Sequence, residues 1–242
     1  MTTRCCAHTL GQTQHVGIIN ALINLGLIFA MLFALSSARA EAASAGKIRI
    51  VAFGDSLTAG YGLNPGQSFP DVLQIALRGR GYNVDVINAG VSGDTTAAGL
   101  TRLDWALGDN PDAVIVELGA NDALRGQPPE ETRANLDIIL KRLGERKLPV
   151  LVAGMRSPEN WGSEYRDKFN AIFAELAAKH GAILYPFFLD GVATDPKLNL
   201  ADGLHPNPRG IAIIVEHILP KVEELIGRVT AAQAERERAM AR

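Results

Sequence analysis

Five short apolar runs recur along the chain, Lys47 to Phe53, Tyr82 to Asn88, Ala113 to Leu118, Leu148 to Gly154 and Ala182 to Tyr185, and every interval between them carries helical periodicity. Apolar runs of this length bounded by turn formers read as buried strands, and parallel strands need crossover connections of a dozen residues or more. Strict alternation of strand and helix therefore specifies a parallel sheet covered on both faces.

The helical intervals support that reading. Gly66 to Gly79 repeats Phe69, Val72, Leu73, Ala76 and Leu77 at spacings of three and four, with Pro70 in the first turn. Thr95 to Leu107 aligns Leu100, Leu103 and Leu107. The segment from Pro128 to Arg146 places Glu130 and Glu131 early and bases late, as the helix dipole prefers. A loop through Arg156, Pro158, Asn160 and Trp161 precedes a helix ending near Lys179-His180-Gly181. Pro206-Asn207-Pro208 opens the last helix, with Ile211, Ile214, Val215, Ile218, Leu219 and Val222 inward. The expected fold is α/β, a three-layer α/β/α arrangement with a five-stranded parallel sheet in the doubly wound, flavodoxin-like order 2-1-3-4-5.

Ahead of this domain lie Arg4, an apolar core from Leu25 to Leu35, and Ser36-Ser37-Ala38-Arg39-Ala40. Short apolar cores followed by small residues two apart mark a cleaved export signal, so residues 1–40 are expected to be removed after Ala40. An uncleaved anchor starting near Gly17 is the alternative, but Asn20 and Asn24 interrupt it. The expected location is periplasmic or secreted. Cys5 and Cys6 both fall in the leader, leaving the exported chain without a disulfide, a thiolate nucleophile or a cysteine ligand. The full chain has a formal charge of −2, and the leader removes Arg4 and Arg39 but no acid. Such a surface offers no footprint for nucleic acid or anionic lipid. With 47% apolar residues and no linker or repeat, residues 41–229 are expected to form one domain, monomeric by default. Residues 230–242, Ala-rich and charged, are expected to be a solvated, frayed helix or disordered.

Chemistry concentrates where the strands end. The first apolar run stops at Gly54-Asp55-Ser56-Leu57-Thr58, which places a hydroxyl at the sheet edge where open α/β folds bind ligands. Taken alone, Ser56 or Asp55 is as well explained as a helix cap. Among the histidines, only His205 lies in a loop at that edge, and Asp202 precedes it by three residues. This spacing lets a carboxylate hold the imidazole Nδ1 and leaves Nε2 to take a proton from a serine. A metal reading of the pair lacks further ligands. Oxyanion donors at the ends of the first three strands are the backbone N–H groups of Ser56 and Gly93 and the side-chain amide of Asn121. Leu57, Leu124, Trp161 and the loop Met155-Arg156-Ser157-Pro158 are candidates to line an apolar groove, or simply to pack.

Gly54-Asp55-Ser56-Leu57, Gly93 in Ser-Gly-Asp, Gly119-Ala120-Asn121-Asp122 and Asp202-Gly203-Leu204-His205-Pro206 resemble, in order and spacing, the blocks of the GDSL or SGNH hydrolases. The similarity runs from about Lys47 to Ile226 and is greatest to the periplasmic arylesterase, lysophospholipase and acyl-CoA thioesterase I group. It implies Ser56 as nucleophile, His205 as base, Asp202 as its orienter, and Ser56, Gly93 and Asn121 as the oxyanion hole. Asp55 is expected to bond the neighbouring turns. No metal or organic cofactor is implied. The implied substrates are esters and thioesters, lysophospholipids included, with transient contact at a lipid surface. A carbohydrate or peptidoglycan O-acetylesterase would use the same residues. A flavodoxin-like module cradling a phosphate or flavin at Gly54 to Thr58 is the non-enzymatic alternative, though it has no use for the Asp/His pair. The α/β-hydrolase fold is disfavoured because G-x-S-x-G is absent.

Overall fold

A computed structural model describes residues 46–108 and 110–242. The leader, with Cys5, Cys6 and the expected cut after Ala40, lies outside the described residues. Five parallel strands, β1 (Ile48–Gly54), β2 (Val84–Gly90), β3 (Ala113–Glu117), β4 (Val150–Ala153) and β5 (Ile183–Tyr185), form one sheet in the order β2-β1-β3-β4-β5. All of β3 is buried, as a central strand between two helical layers must be. Register fixes what happens at the carboxyl edge. Gly54 pairs with Gly90 on one side and Glu117 on the other, so the chain leaves β1, β2 and β3 at the same level.

The crossovers are helical. After β1 comes a single turn, α1 (Ser56–Ala59), then α2 (Phe69–Gly79). α2 starts later than Gly66 because Ser68 caps it, in a capping box with Asp71, and Pro70 sits in its first turn. Thr95 caps α3 (Thr96–Leu107) by accepting from the Ala98 N–H. β3 leads into a short α4 (Ala120–Leu124), and α5 (Pro129–Glu145) follows. After β4, a 3-10 turn at Glu159–Trp161 runs into α6 (Gly162–His180). Asn207 caps α7 (Pro208–Met240) by accepting from the N–H groups of Arg209 and Gly210. Gly227 does not end this helix, which continues past the last buried side chain, Val229, to Met240.

α3, α5 and α6 pack side by side as one layer, and α2 packs with α7. Phe53, Phe69, Phe169, Phe188, Ile115 and Leu118 are fully buried between these layers and the sheet. Burial of such side chains contributes roughly 1.5–3 kcal/mol each before conformational entropy is subtracted, enough to hold the sheet edge rigid beneath the loops. Among the described residues, no helix is long and apolar enough to cross a membrane.

Candidate active site

Ser56 is the first residue of α1, directly past the end of β1. Asp55 caps that turn by accepting from the Leu57 N–H at 3.0 Å, and Gly60, at φ 82°, closes it. Local capping thus determines the direction of the Ser56 side chain.

The loop before α7 is braced by its own hydrogen bonds. Leu200 N–H donates to His205 O at 2.7 Å, Asn199 bridges Pro206, and the Asn207 amide donates to Lys197 O at 2.9 Å. Within it, Asp202 Oδ1 accepts from the N–H groups of Leu204 (2.9 Å) and His205 (3.0 Å), and Oδ2 lies 2.7 Å from His205 Nδ1. The His205 and Leu204 N–H groups, with the imidazole, hold the Asp202 carboxyl at a pKa of about 2. On the other side of the ring, His205 Nε2 lies 2.9 Å from Ser56 Oγ. The three residues singled out by spacing therefore form one continuous Asp-His-Ser chain. The face of the imidazole is covered by Tyr61, with ring centroids 4.5 Å apart.

Ser56, Gly93 and Asn121 all stand on the same edge. Gly93 has φ 88°, a conformation that favours glycine, and Arg125 Nη2 donates to its carbonyl at 3.0 Å. Among the described residues, the backbone N–H groups of Ser56 and Gly93 have no acceptor. Asn121 Nδ2 donates to Asp94 O at 2.9 Å and to Asp55 Oδ2 at 3.2 Å. Asp55 therefore ties the Ser56 turn to the Asn121 turn.

Under this edge lies a second acid that spacing did not reveal. Glu117 ends β3 fully buried; its Oε2 accepts from Thr58 Oγ1 at 2.7 Å, and its Oε1 has no partner among the described residues. A Cβ at Gly54 would lie 2.5 Å from Glu117 Oε2, so the glycine is what admits the carboxyl. Burial, and then the charge of Asp55, push the Glu117 carboxyl well above its usual range, while burial lifts Asp55 to about 6. Burial and mutual repulsion both disfavour a second negative charge on this pair. The signal in the sequence was an acid inside an otherwise apolar strand. Tyr61 and Arg102, which also border the site, had no such signal.

A cavity of about 670 Å³ opens from Ser56 and His205. Leu57, Leu124 and Met155 to Pro158 line it as expected, joined by Phe187, Leu189, Ala193 and Leu204. Trp161 does not. It lies against Gly126 and donates its indole N–H to Ala123 O at 2.7 Å, because the 3-10 turn directs it toward the end of α4 rather than into the groove.

A parallel α/β sheet bearing a Ser-His-Asp chain at its carboxyl edge, beside an apolar cavity, is the arrangement that serine hydrolases use. The chain matches the GDSL-like Lipase/Acylhydrolase family over residues 52–213. It is 41% identical to an arylesterase of Vibrio mimicus over 179 residues, covering 74% of this chain and 90% of the relative. It is 32% identical to the thioesterase 1/protease 1/lysophospholipase L1 of Escherichia coli K12 over 204 residues, 84% of this chain and 93% of that one. Among solved structures, the SGNH-hydrolase family esterase AlinE4 superposes with a TM-score of 0.64 at 49% identity, covering 74% of this chain and 97% of AlinE4. The chain belongs to the GDSL/SGNH hydrolase family and is a carboxylic ester hydrolase of the arylesterase type.

Proposed function

We propose that the chain hydrolyses aryl esters and short to medium acyl esters, lysophospholipids and thioesters among them, through an acyl-enzyme on Ser56. The observation that carries this is the Asp202-His205-Ser56 chain of hydrogen bonds opening on an apolar cavity. His205 takes the Ser56 proton as Oγ attacks the carbonyl, and Asp202 stabilises the imidazolium. The N–H groups of Ser56 and Gly93 and the Asn121 amide receive the oxyanion, Asn121 sharing the donor that makes its longer bond, to Asp55. His205 then protonates the leaving alkoxide or thiolate, and water repeats the cycle on the acyl-enzyme.

The cavity favours an acyl chain over an acetyl group. Each methylene buried in it is worth about 0.8 kcal/mol, about fourfold in rate, whereas an acetyl-specific enzyme has no use for such a volume. The export signal expected in residues 1–40 is in keeping with action outside the cytoplasm, on lipid or aryl esters met there. Three measurements test the reading: fluorophosphonate labelling, turnover of p-nitrophenyl esters from acetate to palmitate, and release of acetate from acetylated xylan. Labelling lost in Ser56→Ala, with kcat/KM rising from the acetate to the medium-chain esters, is expected. Wild-type turnover by Ser56→Ala removes the nucleophile, and a preference for the acetylated sugar transfers the assignment to an O-acetylesterase.

A further inference from the structure

Arg102 stands on α3, outside every motif that drew attention in the sequence, yet its side chain is only 15% exposed and its guanidinium lies over the Phe53 ring, 4.5 Å from the centroid. Each nitrogen of the guanidinium donates to a different segment. Nε donates to Asp94 Oδ2 at 2.5 Å, Nη1 to Ala89 O at 2.9 Å and Nη2 to Gly54 O at 2.9 Å. Gly54 is the last residue of β1, two before Ser56. Ala89 lies at the end of β2, and Asp94 closes the loop that holds Gly93. The Asp94 carbonyl in turn receives Asn121 Nδ2 at 2.9 Å. The segments bearing all three oxyanion donors are thus joined, directly or through one further hydrogen bond, to a single planar cation.

We infer that Arg102 is a positioning residue of the oxyanion hole, a fork whose separate hydrogen bonds hold the turns of Ser56, Gly93 and Asn121 at the mutual distances a tetrahedral oxyanion requires. The inference rests on the assignment of those three donors under the proposed function. Its physical basis is the fixed geometry of guanidinium: its N–H donors diverge in one plane, so three acceptors on three loops cannot shift independently. A lysine ammonium is a point charge on a flexible stem and can reach Asp94 without spanning both carbonyls. Donors pre-set in this way need no reorganisation when charge develops, and small displacements of them are expensive in rate.

The experiment compares Arg102→Lys, Arg102→Ala and Asp94→Asn with the unaltered enzyme. It reads kcat and KM on p-nitrophenyl butyrate, affinity for an alkyl boronic acid that forms a tetrahedral adduct on serine, and the circular dichroism melt. Losing one oxyanion donor outright costs on the order of a hundredfold to a thousandfold, so folded Arg102→Lys is expected to lose about tenfold to a hundredfold in kcat with KM within about threefold. Boronate affinity is expected to fall by the same factor as kcat/KM, and millimolar ethylguanidinium to restore at least part of the Arg102→Ala loss. A residue that only stabilised the fold would lower the melting temperature without this split or this rescue. Asp94→Asn keeps the arginine and weakens one anchor, so it carries the test if the Arg102 variants do not fold; about threefold to tenfold is expected in kcat at unchanged KM. Wild-type kcat in a folded variant, a loss confined to KM, or unchanged boronate affinity would overturn the inference. Failure of the serine assignment is separately visible, because fluorophosphonate would then not label the unaltered enzyme.

Discussion

His205 Nε2 and Ser56 Oγ lie 2.9 Å apart although 149 residues separate them in the chain. Two braced turns make the meeting possible, one capped by Asp55 after β1 and one held by Asp202 before α7. In the second turn, the Asp202 carboxylate selects the tautomer that carries the proton on Nδ1. Asp202→Asn presents an amide in its place and favours the wrong tautomer. The expected loss in kcat is on the order of a thousandfold or more, with a native melt. With the Asp202 carboxyl at a pKa of about 2, it stays ionised across the working range, so no activity change between pH 4 and 9 is to be assigned to it. Stopped-time assays of the purified variant check both points; a loss under tenfold would separate Asp202 from the proton transfer.

The Glu117 carboxyl makes a prediction about stability rather than rate. Its folded pKa is raised well above the ordinary 4.5, so between that value and the raised one the folded protein holds a proton that the unfolded chain has released. Stability therefore falls as pH rises through this window. Glu117→Gln ionises in neither state, so the variant lacks the Glu117 slope and also the repulsion that couples Glu117 to Asp55. The melting temperature of the variant minus that of the unaltered protein is expected to grow as pH rises above the ordinary carboxyl value of 4.5. A difference independent of pH would show that Glu117 ionises as freely in the fold as out of it.

The five strands and the Asp202/His205 pair were legible because both depend on local spacing: apolar runs of strand length, and a carboxylate three residues before an imidazole; the order of the strands came from the doubly wound fold and from no local pattern. α1 and α4 were not, since helices of four and five residues are too short for periodicity to register. They are set instead by a capping carboxylate at Asp55 and by Gly119 at φ 117°. Trp161 was open to either reading, groove lining or packing, and its direction depends on a 3-10 turn that no residue pattern announced. Arg102 lies between Leu100 and Leu103 on α3, and only the strand register shows what its guanidinium reaches.

Tyr61 and His205 supply the third prediction. The turn that carries Ser56 continues through Gly60, so that Tyr61 N–H donates to Ser56 O at 3.1 Å while its ring lies against the imidazole. Under the proposed mechanism the imidazole becomes a cation, and an aromatic face stabilises a nearby cation by about 0.5–1 kcal/mol at exposed sites. That stabilisation is present only when the proton has moved, so it accelerates the step. Tyr61→Leu is expected to lose about twofold to fivefold in kcat, and Tyr61→Phe, which keeps the ring, to stay within about twofold. Equal losses in the two variants, measured on one ester under the same conditions, would assign the effect to the hydroxyl and discard the ring.

The cavity makes the last prediction. Ala193 lines the cavity that Ser56 and His205 also line, and it stands on the segment that leads into the His205 loop. Ala193→Phe fills space without adding a polar group, so its effect should depend on the length of the acyl chain. If the added ring displaces three methylenes of an octanoyl chain, the lost burial corresponds to roughly fiftyfold in kcat/KM, while an acetyl ester loses no buried methylene. The expected result is near wild-type turnover of p-nitrophenyl acetate and a steep loss on p-nitrophenyl octanoate. Uniform loss across the series would instead mean that the substitution has displaced His205. An unchanged series would place the acyl chain outside this cavity, on another side of Ser56.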